Sequence, residues 1–132
     1  MNSKKFAKNL IDFIYNSPTA FHAVSTSKEL LDANGFIELD SCKMWDVKVG
    51  GKYYITKNSS AIVAFTVNSD NIEKEGFRII GSHSDSPSFR IKPNAEIESE
   101  KAYLKLNTEC YGGPILSTWL DRPLGIAGRV II

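Results

Sequence analysis

The sequence predicts an α/β or α+β fold that begins with two helices and continues into short strands. Two segments within residues 4–34 have the 3.6-residue apolar periodicity of helices. From residue 36 the apolar residues occur in short runs between turn-forming stretches, which is typical of a strand meander. An apolar run at residues 77–80 then leads directly into a glycine and a group of polar residues. Helices followed by strands, with polar side chains after a buried strand, indicate this fold class.

The first predicted helix covers residues 4–16. Its apolar side chains fall at positions i, i+4, i+7 and i+8 and so form one stripe, made of Phe6, Leu10, Phe13 and Ile14. Ser3 is a plausible N-cap, because a serine hydroxyl can accept a hydrogen bond from a free N–H group of the first turn.

The second predicted helix starts at Ser17-Pro18 and runs to about Asn34. Serine as N-cap and proline at the first helical position form a start signal, since the missing N–H of proline would be unbonded there anyway. Gly35 is the predicted left-handed terminator. We expect this helix to bury three apolar side chains: Phe21, Val24 and Leu31.

The remaining elements are predicted to be strands. Turn-rich stretches at residues 50–51 and 57–60 divide the meander, which includes Val47 and Val49. Residues 77–80 are predicted as a buried central strand that ends at Ser86-Pro87, because proline cannot donate to a ladder. Residues 130–132 form a closing apolar run of β type, so we expect the chain to be part of a longer protein; a natural C-terminal strand is the alternative.

Composition excludes several classes of function. The net charge is +1 over 132 residues, and no basic run is interleaved with aromatic residues, so we expect no nucleic-acid partner. No apolar run approaches the roughly 20 residues of a membrane span, and we expect a cytoplasmic protein without a membrane partner. Cys42 and Cys110 form no C-x-x-C pair, which favours two reduced cysteines packed as small apolar groups.

The segment at residues 81–87, GSHSDSP, contains the candidate chemical groups. If the extended conformation of the preceding strand continues, His83 and Asp85 point to one face. The carboxylate can then accept the second ring N–H of the histidine, which fixes the tautomer and leaves the other nitrogen as a zinc ligand.

Three alternatives stay open at this point. A histidine and an aspartate two residues apart are common by chance on a polar surface. A Ser-His-Asp triad could use Ser82 or Ser84, although its members normally come from separate elements and the G-x-S-x-G elbow is absent. A phosphate-binding turn is disfavoured, because the segment has one glycine and no Lys-Ser/Thr ending.

Three ordered motifs resemble the aspartyl aminopeptidase family of zinc metallopeptidases. They are SPTAFHAV at residues 17–24, GSHSDSP followed by RIKP at residues 81–93, and YGG followed by STWLDR at residues 111–122. The resemblance continues through residues 124–130, and it covers nearly the whole chain. Three positions depart from the family pattern. Pro114 and Pro123 lie outside the metal motif, and Ser84, inside it, is a conservative replacement of the more usual threonine.

The resemblance implies an α/β fold: the N-terminal part of a phosphorylase/hydrolase-like peptidase domain (1–98) and the start of an inserted β-rich oligomerisation domain (99–132). It implies a two-zinc aminopeptidase that removes N-terminal, often acidic, residues from peptides and assembles into a homo-oligomer, usually a dodecamer. His83 matches the metal-ligand histidine, and Asp85 matches the catalytic-site aspartate that orients it. Cobalt or manganese would also suit such ligands. No substrate-binding residue is assigned.

The sequence offers too few ligands for a complete site. A catalytic zinc needs about three protein ligands, and the other candidates lie on solvated helix faces or in turns: Asp12, Asp32, Asp70 and Glu73. We therefore expect the missing ligands beyond Ile132 and expect the chain to be inactive alone. His22 is interpreted as a packing or capping residue, and Trp45 and Trp119 as core or interface aromatics. The alternative function is a non-catalytic fragment or interaction module.

Overall fold

A computed structural model describes residues 2–132, which form two compact units. The first unit contains the residues up to Asp85 together with Ala127–Ile132, and the second contains Ser86–Ile126. Helices and strands are both present, so the predicted mixed α/β class is confirmed. Within residues 2–132, no helix has the length and apolar character needed to cross a membrane.

The first helix, α1 (Ser3–Tyr15), forms where the periodicity predicts it. Its N-cap is Asn2, not Ser3 as predicted, because the Asn2 side chain accepts a hydrogen bond from the backbone N–H of Lys4 (3.1 Å). Most of the apolar stripe is exposed, including Phe6 and Leu10. The periodicity therefore specifies a helix with one apolar face that the described residues leave largely uncovered.

The second helix, α2 (Ala20–Ala33), begins later than predicted. Its N-cap is Thr19, whose hydroxyl accepts a hydrogen bond from the backbone N–H of His22 (3.4 Å). The Ser17 N–H bonds instead to the Ile14 carbonyl at the end of α1, and the buried Ser17 hydroxyl bonds to no described residue. The helix ends before Gly35, which has the predicted left-handed φ of 77°. Of the three side chains expected to be buried, Val24 is 2% exposed, and Phe21 and Leu31 are half-buried.

A three-stranded sheet replaces the longer predicted meander. Its strands are β1 (Ile37–Glu38), β2 (Lys52–Lys57) and β3 (Ala61–Thr66), in the order β1-β2-β3. β1 is parallel to β2, and β2 is antiparallel to β3. Val47 and Val49 lie in no strand.

Two adjacent tyrosines of β2 form the centre of the first unit. Tyr53 and Tyr54 are both buried, and successive strand residues point to opposite faces of the sheet. The Tyr53 ring contacts Phe65 of β3 with 5.7 Å between ring centroids. The Tyr54 hydroxyl donates a hydrogen bond to the Asp32 carboxylate (2.8 Å), which joins the sheet to α2. Burial, and secondly this hydrogen bond to Asp32, raises the pKa of Tyr54 to about 12.

The predicted central strand at residues 77–80 is wrong. These residues follow a short helix, α3 (Ile72–Glu75), and none is assigned to a strand or buried; Ile80 is 98% exposed. An apolar run becomes a buried strand only when neighbouring strands and a packed layer cover it, and residues 2–132 provide neither here. Ser86-Pro87 likewise does not end a strand; it precedes one.

The second unit is a long hairpin with a short tail. Its strands, β4 (Ser88–Ser99) and β5 (Tyr103–Tyr111), are antiparallel, with an irregularity between Ile91 and Glu96. A single 3-10 turn, Leu116–Thr118, precedes Trp119, whose ring contacts Phe89 edge-on at 5.1 Å. The predicted domain boundary at residues 98/99 falls within β4 and differs from the division between the two units.

Two further expectations need correction. Residues 130–132 are exposed and form no strand, because no described strand pairs with them. Cys42 and Cys110 are free, as expected, but both are exposed and so are not packed as small apolar groups.

We predict that Tyr54→Phe lowers the free energy of unfolding by about 1 kcal/mol, because it removes the hydrogen bond to Asp32 while keeping the buried ring. Urea unfolding followed by circular dichroism measures this change. The control is Tyr15→Phe, which removes the hydroxyl of an exposed tyrosine in the same unit and should leave the stability unchanged. Equal effects of the two substitutions would contradict this role for Tyr54.

The stability difference between the wild type and Tyr54→Phe should depend on pH. The folded-state pKa of Tyr54, about 12, lies above the ordinary tyrosine value of 10.0, so folding favours the neutral phenol. This contribution to stability is fully present below pH 10.0 and is lost as the pH rises toward about 12. The stability difference between wild type and Tyr54→Phe should therefore be constant below that window and shrink within it.

Candidate metal centre

The candidate residues lie in an irregular segment of the first unit, between residues 77–80 and β4. His83 has an 80% exposed side chain, while Ser84 and Asp85 are half-buried. The Ser84 hydroxyl donates a 2.7 Å hydrogen bond to the Ser60 carbonyl, which lies in the turn between β2 and β3. The segment is therefore attached to the sheet although it is not a strand.

His83 and Asp85 are brought together as the sequence predicts. Nδ1 of His83 lies 2.8 Å from the Asp85 backbone carbonyl oxygen and 3.2 Å from its carboxylate Oδ1. A carbonyl oxygen can only accept a hydrogen bond, so Nδ1 must carry the proton. The lone pair of the neutral ring is then on Nε2. This is the arrangement in which an imidazole binds a metal through one nitrogen while the other is held in place.

The backbone carbonyl is an acceptor that the sequence reasoning missed. The prediction assigned the orienting contact to the Asp85 carboxylate, but the shorter of the two distances is to the carbonyl of the same residue. No side-chain pattern could have identified it, because every residue has a carbonyl. Aspartate at this position thus presents two acceptors to one ring nitrogen.

The chemistry of this pair fits zinc, but the described residues do not complete a site. An imidazole nitrogen and carboxylate oxygens are ordinary zinc ligands. Within residues 2–132, however, no group of three or more His, Cys, Asp or Glu side chains could hold a metal ion. Asp12 forms an exposed ion pair with Lys8, and Asp32 accepts the Tyr54 hydrogen bond. Asp70 precedes the short helix α3 and Glu73 lies within it, and neither belongs to a group of possible metal ligands.

The geometry disfavours two of the alternative sites. The Ser84 hydroxyl donates to Ser60, so it is not directed toward His83 as a triad nucleophile. Ser82 is exposed and forms no side-chain hydrogen bond within the described part of the chain. A phosphate-binding turn normally leads into a helix N-terminus, whereas this segment leads into β4.

His22 contacts the N-cap of α2, which agrees with its interpretation as a packing or capping residue. Its Nδ1 lies 2.8 Å from the Thr19 hydroxyl oxygen, which also accepts from the His22 backbone N–H. The hydroxyl proton is then available for donation to Nδ1. The aromatic residues also have structural contacts: Trp45 donates its indole N–H to the Asp40 carbonyl (2.8 Å), and Trp119 is half-buried against Phe89.

Arg129 is a further contact that sequence reasoning missed. Its guanidinium lies 4.2 Å from the centroid of the Phe21 ring, and Nη1 donates a 3.1 Å hydrogen bond to the Asn58 carbonyl. Asn58 and Arg129 are 71 residues apart. Periodicity and local motifs carry no information over that distance, so no sequence signal could have revealed it.

Comparisons with known proteins agree on one family. The aminopeptidase I zinc metalloprotease (M18) family model matches residues 13–132. A probable M18 family aminopeptidase 2 of Clostridium novyi is 61% identical over 131 residues, which are 99% of this chain and 30% of that relative. The chain thus spans about 30% of the length of the curated relatives that it matches first.

Solved structures give the same result. The S. cerevisiae mApe1 dodecamer has a TM-score of 0.80 at 34% identity, over 92% of this chain and 28% of that one. An M18 family aminopeptidase from Thermotoga maritima has a TM-score of 0.77 at 30% identity, over 89% of this chain and 25% of that one.

We predict that the neutral His83 imidazole is the Nδ1–H tautomer. Long-range ¹⁵N-¹H spectra should show the proton on Nδ1, because the atom closest to that nitrogen is a carbonyl oxygen, which can only accept. Asp85→Ala should keep the His83 tautomer, since the backbone carbonyl remains. A proton on Nε2 of His83 in the wild type would contradict the geometry.

Proposed function

Because the chain belongs to the M18 (aminopeptidase I) family of zinc metalloproteases, we propose that it forms part of an aminopeptidase that removes N-terminal residues, preferably acidic ones, from peptides. The observation that carries this proposal is the orientation of His83. Its Nδ1 proton is held by Asp85, which leaves the lone pair of Nε2 available for a metal. The family match supports the type of reaction, and the ring geometry supports the proposed role of His83.

His83 and Asp85 each have a defined part in this proposal. His83 would hold one zinc ion through Nε2, and Asp85 would keep the ring in the required tautomer and orientation. A pair of zinc ions held there would polarise the peptide carbonyl and lower the pKa of water, so that hydroxide would be available as the nucleophile at neutral pH. Cobalt or manganese would suit the same nitrogen and oxygen donors.

The other ligands and the general base are proposed to come from residues outside this chain. Two facts support this: the described residues contain no cluster of three or more side chains that could hold a metal ion, and the relatives are roughly three times as long. On the same basis we propose that the chain by itself does not hydrolyse peptides.

Domain organisation and assembly are also proposals. We assign residues 1–98 to the peptidase domain and 99–132 to the start of an inserted β-rich domain, and the strand β5 lies in the second range. A homo-oligomer, as large as a dodecamer, is supported by the assembly named for the yeast relative. The cytoplasmic location expected from the sequence stays a prediction.

We predict that His83→Ala in the full-length protein removes one zinc ion per chain and nearly all peptidase activity, because no other side chain replaces the lost Nε2. Metal content by mass spectrometry and hydrolysis of an acidic aminoacyl reporter measure these losses. The matched control is His22→Ala, which deletes the imidazole that contacts the Thr19 N-cap of α2 and should leave the metal content unchanged. Normal activity and metal content in His83→Ala would contradict the proposed function.

We predict that the purified 132-residue chain with added zinc does not cleave the same reporter. The full-length protein, assayed in parallel, is the positive control. Turnover that co-purifies with the chain and is lost in His83→Ala would refute the proposal that further ligands are needed. If the 132-residue chain is inactive, and the full-length protein keeps its activity when these residues are deleted, the non-catalytic interaction module is supported instead.

A further inference from the structure

Two distant segments of the first unit bind the same tight turn. The Ser60 carbonyl accepts a hydrogen bond from the Ser84 hydroxyl (2.7 Å), 24 residues away. The Asn58 carbonyl accepts one from Nη1 of Arg129 (3.1 Å), 71 residues away. The β2–β3 turn, residues 58–60, therefore serves as an acceptor for both the His83 segment and the segment at 127–132.

The turn is a well-defined acceptor. The ladder between β2 and β3 is continuous up to the pair Lys57 and Ala61, which immediately flanks the turn. The Ser60 N–H bonds to the Lys57 carbonyl (3.1 Å), and both Asn58 and Ser59 have left-handed φ, 52° and 56°. These bonds fix the direction of the Ser60 carbonyl relative to the sheet.

The residues that precede Ser84 have little other support. Residues 77–83 are in no strand and are exposed, so neither ladder bonds nor burial fixes their position within the described chain. Ser84 is half-buried between His83 and Asp85, and its hydroxyl is bound to the turn. The two Asp85 acceptors orient the His83 ring. The Ser84 bond instead acts on the position of the main chain that carries this ring.

We propose that Ser84 is a positioning residue for the metal site: its hydrogen bond to the Ser60 carbonyl holds the His83 backbone at a fixed place relative to the sheet. This inference rests on the proposed role of His83 as a metal ligand. It assigns to Ser84 neither contact with metal nor a proton transfer. Residues that orient metal ligands typically contribute 10- to 100-fold to metal affinity, and an anchor acting through the backbone belongs at the lower end, about 10-fold.

The test uses four variants of the full-length protein. Ser84→Thr keeps the hydroxyl. Ser84→Val introduces a side chain of nearly the same shape as threonine but without the hydroxyl, so this pair separates the effect of the hydrogen bond from that of packing. Ser84→Ala removes the hydroxyl without adding volume. Ser82→Ala is the control, since it deletes the serine on the other side of His83, which has no hydrogen-bond partner among the described residues.

Two measurements separate positioning from a general loss of stability. Titration of the metal-free protein with zinc gives the affinity, and the visible absorption spectrum of the cobalt-loaded protein reports the ligand geometry. We expect Ser84→Val and Ser84→Ala to bind zinc about 10-fold more weakly, with a changed cobalt spectrum. Ser84→Thr and Ser82→Ala should match the wild type in both measurements.

The outcomes distinguish this inference from the proposed function. If Ser84→Val and Ser84→Ala bind metal like the wild type while His83→Ala does not, Ser84 is not a positioning residue and the proposed function stands. If Ser84→Thr is as weak as Ser84→Val, the hydroxyl is not the cause and the inference is wrong. If His83→Ala itself keeps its metal, the proposed function fails first. Should Ser84→Ala not fold, the Thr and Val pair decides alone.

Discussion

The antiparallel pairing of β2 with β3 is the constraint on which the first unit depends. Tyr53 and Tyr54 lie on opposite faces of the sheet because they are consecutive strand residues. The register sets Tyr53 opposite Phe65, and the Tyr54 hydroxyl reaches α2. The same register closes at Lys57 and Ala61, and so it creates the turn whose carbonyls bind Ser84 and Arg129. The core and the candidate metal centre are therefore supported by one hairpin, one at its middle and the other at its end.

The predictable parts of the fold were those specified by nearby residues. Helix α1 and the end of α2 at Gly35 follow from periodicity and a left-handed terminator, both of which act over a few residues. The start of α2 was misplaced because Ser17-Pro18 and Thr19 are competing local signals, and only the threonine hydroxyl meets a free N–H of the helix. Residues 77–80 show the opposite limit. Their composition suits a buried strand, but burial depends on partners that a local pattern cannot specify.

The candidate site likewise has a local part that the sequence could predict and a long-range part that it could not. His83 and Asp85 are two residues apart, so the sequence alone could predict that they meet, and the resemblance to zinc metallopeptidases gave the histidine a role. The contacts that support the segment are long-range: Ser84 with Ser60, and Arg129 with Asn58. Both end on backbone carbonyls, which have no signature in the sequence. Reading side chains identifies the chemical groups of a metal site more readily than the main-chain atoms that hold those groups in place.

The uncovered apolar run at residues 77–80 has a practical consequence for handling the chain. Its backbone is unpaired in the described structure, and its isoleucines face water. An extended apolar segment with free N–H and C=O groups is a template for strand addition, so two copies of the chain can pair through it. Such pairing would cover the run that leads into the His83 segment. A lysine in place of Ile80 would disfavour it, because a charged side chain on an exposed strand edge opposes pairing with another chain.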